Sequence, residues 1–304
     1  MDRRRFLHTG ALGATAAALA GGRIAQAVPP VGRSTPPRLK LSCCAYSYRK
    51  YLAGKERSMT MDQFIDLCAS MGLDGAELTS YYFEQATPEY DHELRRRCFL
   101  AGLDISGAAL GTTFAVPPGP DRDKQLAGVR QWIDRAVELG APCLRVFGGG
   151  IPKGVEREEA AQWAIDSLRE AAIHARERGV YLALENHGGV TETADDVLRV
   201  LQSVESDWVG ANLDTGNFHG DDPYADVARV APYAVNVHLK ATMAARGKSA
   251  QPADFPRLVG LLREAKYSGY LSLEYESAED PMTAVPRLIA QVRVAIETPP
   301  GGPP

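Results

Sequence analysis

Between residues 40 and 297 the sequence repeats one alternation eight times: a short apolar run, then a longer stretch with apolar residues at helical spacing. The apolar runs fall near 40–47, 74–80, 104–110, 143–148, 180–186, 209–215, 234–240 and 270–276. Their length, bounded by turn residues, is that of buried strands. The stretches between them lie near 60–71, 89–101, 122–139, 156–178, 193–204, 223–231, 254–266 and 281–297. Several carry helix-end signals. Thr193 precedes Asp195 and Asp196, which suit a helix N-terminus. Gly72, Gly102, Gly140 and Gly179 follow last helical turns, and Pro281 suits a first turn. Eight strands, each followed by a helix, predict a single (β/α)8 TIM barrel, with an open doubly wound sheet as the alternative. No glycine-rich dinucleotide turn follows the first strand, which argues against a nucleotide-binding open sheet. Gly148-Gly149-Gly150 lacks the Lys-Ser/Thr of a phosphate loop and reads as a tight turn at the barrel top.

The chain ends read differently. Residues 1–27 have the order of an export signal: Arg3-Arg4-Arg5-Phe6-Leu7, a weakly apolar stretch from Ala11 to Ala20, and a small-x-small site at Ala25-Gln26-Ala27. The paired arginines resemble a twin-arginine signal, which predicts export to a bacterial periplasm. The apolar stretch is too short and too rich in Ala and Gly to span a membrane, so no stable membrane anchor is expected. Residues 28–38 read as a Pro-rich linker, 39–297 as the barrel, and 298–304 as a disordered tail. A formal net charge of −4 over 304 residues gives no reason to expect nucleic acid or an acidic membrane as a partner. Five cysteines, two of them adjacent at Cys43 and Cys44, do not make a disulfide framework; buried free thiols are expected.

Four of the apolar runs contain ligand-type residues on one alternation: Leu184-Glu185-Asn186, Asn212-Leu213-Asp214, Asn236-Val237-His238-Leu239-Lys240 and Ser272-Leu273-Glu274-Tyr275-Glu276. Successive strand side chains face opposite ways. Leu213, Val237, Leu239, Leu271 and Leu273 then share one face, and Glu185, Asp214, His238 and Glu274 lie on the other. Active sites of such barrels gather at the C-terminal ends of the strands, where these four fall. Buried charges without partners would cost several kcal/mol each. One divalent cation removes that cost. Three carboxylates and one imidazole, with no thiolate, favour Mn²⁺, with Mg²⁺, Co²⁺ or Zn²⁺ as alternatives. Taken singly, each residue is more simply a capped or paired core group; the constellation in consecutive units carries the reading.

The runs Leu182-Ala183-Leu184-Glu185-Asn186-His187-Gly188-Gly189, Asn212-Leu213-Asp214-Thr215-Gly216-Asn217, Asn236-Val237-His238-Leu239-Lys240 and Leu273-Glu274-Tyr275-Glu276 resemble the xylose-isomerase-like sugar epimerase/isomerase superfamily, over about residues 40 to 297. The resemblance implies that Glu185, Asp214, His238 and Glu274 hold the metal, and that Glu185 and Glu274 also move protons. It implies a ketose or keto-sugar epimerase or isomerase working through an enediolate, with a small-molecule sugar as partner and self-association into a homo-oligomer left open. Many members carry a histidine three residues after the strand-six aspartate; here that position is Asn217, and His219 follows. Tentative substrate contacts are His187, Asn217, Arg145, Lys240 and Glu77. Arg145 faces inward with Phe147, either to bind a substrate oxygen or to pair with Glu77. Lys240 either neutralises a substrate oxyanion or balances Glu276. Tyr46 and Tyr48 are candidates to line the pocket. The alternatives are a metal-dependent lyase acting on an oxidised or glycosylated sugar by β-elimination, and a non-catalytic exported sugar-binding barrel. A multi-zinc nuclease would need more than the six histidines spread along this chain.

Overall fold

A computed structural model of the chain describes residues 29–54 and 57–299. Eight parallel strands close into a barrel: β1 (Leu39–Cys44), β2 (Gly75–Thr79), β3 (Asp104–Ala109), β4 (Cys143–Phe147), β5 (Tyr181–Glu185), β6 (Val209–Asp214), β7 (Ala234–Lys240) and β8 (Gly269–Glu274). Closure is made by β1, which pairs with β2 on one side and with β8 on the other, setting Leu41 against Leu271. An open sheet is thereby excluded. The long helices that follow the eight strands are α1 (Met61–Ser70), α2 (Pro88–Leu100), α3 (Pro120–Leu139), α4 (Arg157–Arg178), α5 (Ala194–Val204), α6 (Pro223–Val230), α7 (Phe255–Glu264) and α8 (Pro281–Glu297). A two-stranded ribbon, Thr242–Met243 with Gln251–Pro252, lies between β7 and α7.

The alternation in the sequence becomes two cores. Outward-facing Leu144, Val146, Leu182, Leu184, Leu213, Val237, Leu239 and Leu273 are buried against helix residues such as Val129, Ile133, Leu168 and Val197. Each such side chain contributes about 1.5–3 kcal/mol of transfer free energy. The inward face is polar instead, with Ser42 and Ser106 hydrogen-bonded across the barrel at 2.6 Å. Helix ends follow the predicted chemistry. Thr60 and Thr193 form capping boxes with Gln63 and Asp196. Asp222, Asp254 and Asp280 accept from the first-turn amides of α6, α7 and α8. Gly140 and Gly179 end α3 and α4 in the left-handed conformation.

The stretch 29–38 has no helix or strand, yet it is fastened to the barrel floor. The Val31 amide donates to the Pro232 carbonyl at 3.0 Å. Arg33 donates to the carbonyl of Ala234, at the start of β7, at 2.6 Å, and stacks over the Tyr267 ring. The predicted export signal, residues 1–27, lies outside the described residues, as does the tail from 300 onward. No helix among the described residues is long and apolar enough to cross a membrane. All five cysteines are buried and free.

Candidate active site

The site is assembled from strand ends whose local sequence sets their height and direction. Asp214 and His238 stand level on neighbouring strands, one pleat above the paired amides Asn212 and Asn236. A register shift between Ala211 and Asn212 makes this alignment. Asn186 pins the strand-six end, its side chain exchanging hydrogen bonds with the Asp214 backbone at 2.8 Å in both directions. Asp214 Oδ1 accepts from the amides of Gly216 and Asn217. Its Oδ2 has no hydrogen-bond partner, and neither does His238 Nδ1. Both atoms belong to fully buried side chains.

One ligand atom each from Glu185, Asp214 and His238 lies within 4.8 Å of the other two. His238 Nδ1 is 3.3 Å from Glu185 Oε2 and 3.5 Å from Glu274 Oε1. The other ring nitrogen, Nε2, is 2.6 Å from Glu77 Oε1. An imidazole that donates through one nitrogen to a carboxylate presents the other as a metal ligand. The donor set of Glu185, Asp214 and His238 therefore fits a divalent cation, with Glu274 beside His238 Nδ1 as the neighbouring carboxylate. Charge balance agrees. Four buried carboxylates, Glu77, Glu185, Asp214 and Glu274, face two buried fixed cations, Arg145 and Lys240. With His238 neutral, a single divalent ion makes that interior electroneutral.

Electrostatics follow the same geometry. Burial raises the Asp214 carboxyl to about 8; Lys240 opposes the rise, and Glu185 and Glu274 add to it. Burial would also raise Glu77 and Glu274, but both stay below the ordinary carboxylate range. His238, Asn236 and Arg145 hold Glu77 down, and His238, Lys240 and Arg145 hold Glu274 down. Burial would lower Lys240, and Asp214, Glu274 and Glu276 raise it instead. Its ammonium lies 3.2 Å from Asp214 Oδ2 and salt-bridges Glu274 and Glu276.

Two cavities open at the mouth, and Lys240, Glu274 and Glu276 are common to both. One, about 200 Å³, is completed by Tyr46, Tyr81, Arg145, Phe147, Glu185 and His187. The other, about 240 Å³, runs past Gly216, Asn217 and His219 to Thr242. His187 stacks on Phe147 with ring centroids 4.2 Å apart. A larger depression, about 760 Å³, lies on the outer surface along α4 and α5. It contains none of the strand-end residues, and its arginines, Arg169, Arg199 and Arg229, are already paired with carboxylates.

Across residues 65–297 the sequence matches the family described as xylose isomerase-like TIM barrel. The chain belongs to that family. It is 23% identical over 163 residues to the 2-oxo-tetronate isomerase of Haemophilus influenzae. That match covers 50% of this chain and 62% of the relative, so the chain spans less than two thirds of that protein's length. The solved structure of an L-ribulose 3-epimerase superposes with a TM-score of 0.71 at 17% identity, covering 87% of this chain and 100% of that one. A xylose isomerase-like TIM barrel protein from Mycobacterium smegmatis, solved in complex with magnesium, gives a TM-score of 0.65 at 19% identity, covering 85% and 98%. At these identities the two structures share the fold.

The structure brings Glu185, Asp214, His238 and Glu274 together, with His187, Asn217, Arg145 and Lys240 around them. Asn217 takes the place of the expected histidine and sets its amide 3.5 Å from Glu185 Oε1. Three sequence expectations are corrected. Glu77 is not a pocket residue: it is fully buried, and its oxygens are engaged by His238 and Asn236. Arg145 forms its ion pair with Glu185, at 3.3 Å, because β4 is hydrogen-bonded to β5 and lies two strands from β2. Tyr48 turns into the core against Phe64, so of the two only Tyr46 lines the mouth. Sequence reasoning missed Tyr81 and Cys44. Tyr81 follows β2 as an exposed aromatic with no periodic signal. Cys44 Sγ, 3.8 Å from Glu274 Oε1, was readable only by its inward parity.

Proposed function

We propose that the chain is a divalent-metal-dependent isomerase or epimerase of a keto-sugar, with Mn²⁺ the preferred ion for its oxygen-rich, single-imidazole donor set. The observation that carries this reading is the convergence of one ligand atom each from Glu185, Asp214 and His238 within 4.8 Å of one another, where His238 Nδ1 and Asp214 Oδ2 are buried without hydrogen-bond partners. The isomerase and epimerase names of the relatives support it. When bound, the cation polarises the substrate carbonyl and stabilises the charge that develops as the neighbouring C–H loses its proton.

The chain's own residues divide the remaining work. Glu185 Oε2 is held by Asn212 and faces Arg145, so Oε1, which has only the 3.5 Å contact with Asn217, is the freer oxygen to move a proton. Glu274, kept ionised by His238 and Lys240, is the second proton carrier. Removal by one carboxylate and return by the other inverts a carbon. His187, Phe147, Tyr46 and Tyr81 wall the smaller cavity and limit water at the reacting carbon. Glu185→Gln and Glu274→Gln should each lower turnover by about 10²-fold or more. Solvent-deuterium exchange into a turned-over keto-sugar measures this. Near wild-type exchange in either variant overturns the two-glutamate assignment. An unsaturated sugar in place of an epimer assigns β-elimination, and tight sugar binding without exchange assigns a binding protein.

A further inference from the structure

Beneath the ligands, four side chains from four strands form a continuous hydrogen-bonded line. Glu77 Oε2 accepts from Asn236 Nδ2 at 2.8 Å. The same Nδ2 donates to Asn212 Oδ1 at 2.8 Å. Asn212 Nδ2 donates to Glu185 Oε2 at 2.7 Å. Glu77 Oε1 meets His238 Nε2, and His238 Nδ1 faces Glu185 Oε2, which turns the line into a ring. Every member is at most 2% exposed, so each is shielded from bulk solvent and depends on its partners in the ring.

We propose that Glu77 is a positioning residue that fixes two metal ligands at once, His238 directly and Glu185 through the Asn236–Asn212 relay. The proposal rests on the metal-dependent reading above. Its logic is the polarity of the ring. Carboxylates at both ends only accept, so each outer amide must turn its NH₂ outward, and one N–H···O contact remains between the two amides. That arrangement leaves Nε2 of His238 carrying the proton and Nδ1 free to ligate.

Glu77→Gln keeps the shape and breaks the polarity. If the substituted amide turns its oxygen to His238, its NH₂ meets the Asn236 NH₂. The relay then reverses until the Asn212 oxygen opposes Glu185. If the substituted amide turns its NH₂ to His238 instead, the imidazole proton moves to Nδ1 and blocks the ligand. Either way one ligand is spoiled.

The test is a double-mutant cycle on metal affinity, read by Mn²⁺ titration of the stripped protein, with thermal unfolding of the metal-free form alongside. Glu77→Gln should weaken Mn²⁺ binding about 10–100-fold, the range for partners of ligating histidines, without lowering the metal-free unfolding midpoint. Asn212→Ala removes the link that carries the mismatch. In that background Glu77→Gln should cost less than about 3-fold. Nitrogen-15 shifts of His238 in the Mg²⁺-loaded protein show whether Nε2 keeps its proton. Glu77→Gln affinity within 2-fold of wild type, or losses that simply multiply in the double variant, overturns the proposal. If Glu77→Gln fails to fold, Asn212→Ala decides: about 5-fold weaker Mn²⁺ binding with an unchanged midpoint supports the relay, and unchanged binding removes it. A wild-type protein that binds no Mn²⁺ instead overturns the metal-dependent reading itself.

Discussion

At the scale of single residues, the site is governed by what burial does to charge. Asp214 is fully buried, and in the metal-free protein burial pushes its carboxyl up to about 8 against the pull of Lys240. It therefore holds its proton to higher pH than in an unfolded chain, which would ionise near the ordinary value of about 4. A cation using Oδ2 must displace that proton. The sign follows: metal affinity falls as pH drops through and below about 8. His238, which burial would lower but Glu77 and Glu274 hold well above its ordinary value, adds a proton released in the same direction. Calorimetric titration at pH 7 in two buffers of different ionisation enthalpy should detect release of at least one proton. Affinity that is flat from pH 6 to 9, with no proton released, would take Asp214 out of the ligand set.

At the scale of elements, the loops that follow β4 and β5 are packed against each other through backbone. Gly189 adopts φ +55°, and a Cβ there would sit 2.1 Å from the Gly149 carbonyl oxygen. The same loop presents His187 to Phe147 and is tied by Thr191 to the Glu185 carbonyl. Gly189→Ala should destabilise the fold by about 2 kcal/mol, from the left-handed penalty and the overlap together. Substrate KM should rise while Mn²⁺ affinity holds, because Glu185 belongs to β5 and not to the loop. Urea unfolding with parallel metal titration checks this; an unchanged midpoint and KM would show that the loops separate freely. The glycine pattern after β4 was legible in the sequence as a turn. Its partner across the mouth was not, because Gly149 and Gly189 meet only when both strands are in place.

At the scale of the whole molecule, the barrel has two ends with separate tasks. Its mouth carries the charged site. At its floor, residues 29–38 are fastened through the Arg33 contacts with Ala234 and Tyr267. Arg33→Ala should lower stability by about 2–4 kcal/mol, the sum expected for a charge-assisted hydrogen bond and a partly buried cation–π contact. Metal affinity should not change, since Ala234 lies at the opposite end of β7 from Lys240. Thermal unfolding together with Mn²⁺ titration measures both. A loss of affinity would mean that the floor and the mouth are mechanically coupled.

Local periodicity alone located the eight strands and eight helices and put Glu185, Asp214, His238 and Glu274 on one face, because a strand's alternation depends only on its own residues. The Thr193 cap and the first-turn Pro281 were legible for the same reason. What faces what across the interior was decided only by closure of the barrel. Glu77 reaches His238 across 161 residues of sequence, and Arg145 meets Glu185 on the neighbouring strand. Lys240 enters the carboxylates because its strand is flanked by the strands that carry Asp214 and Glu274. Parity gives the side of a strand on which a charge lies. Only strand order and register say which opposite charge it will meet, and in a buried interior that pairing determines its ionisation and its chemistry.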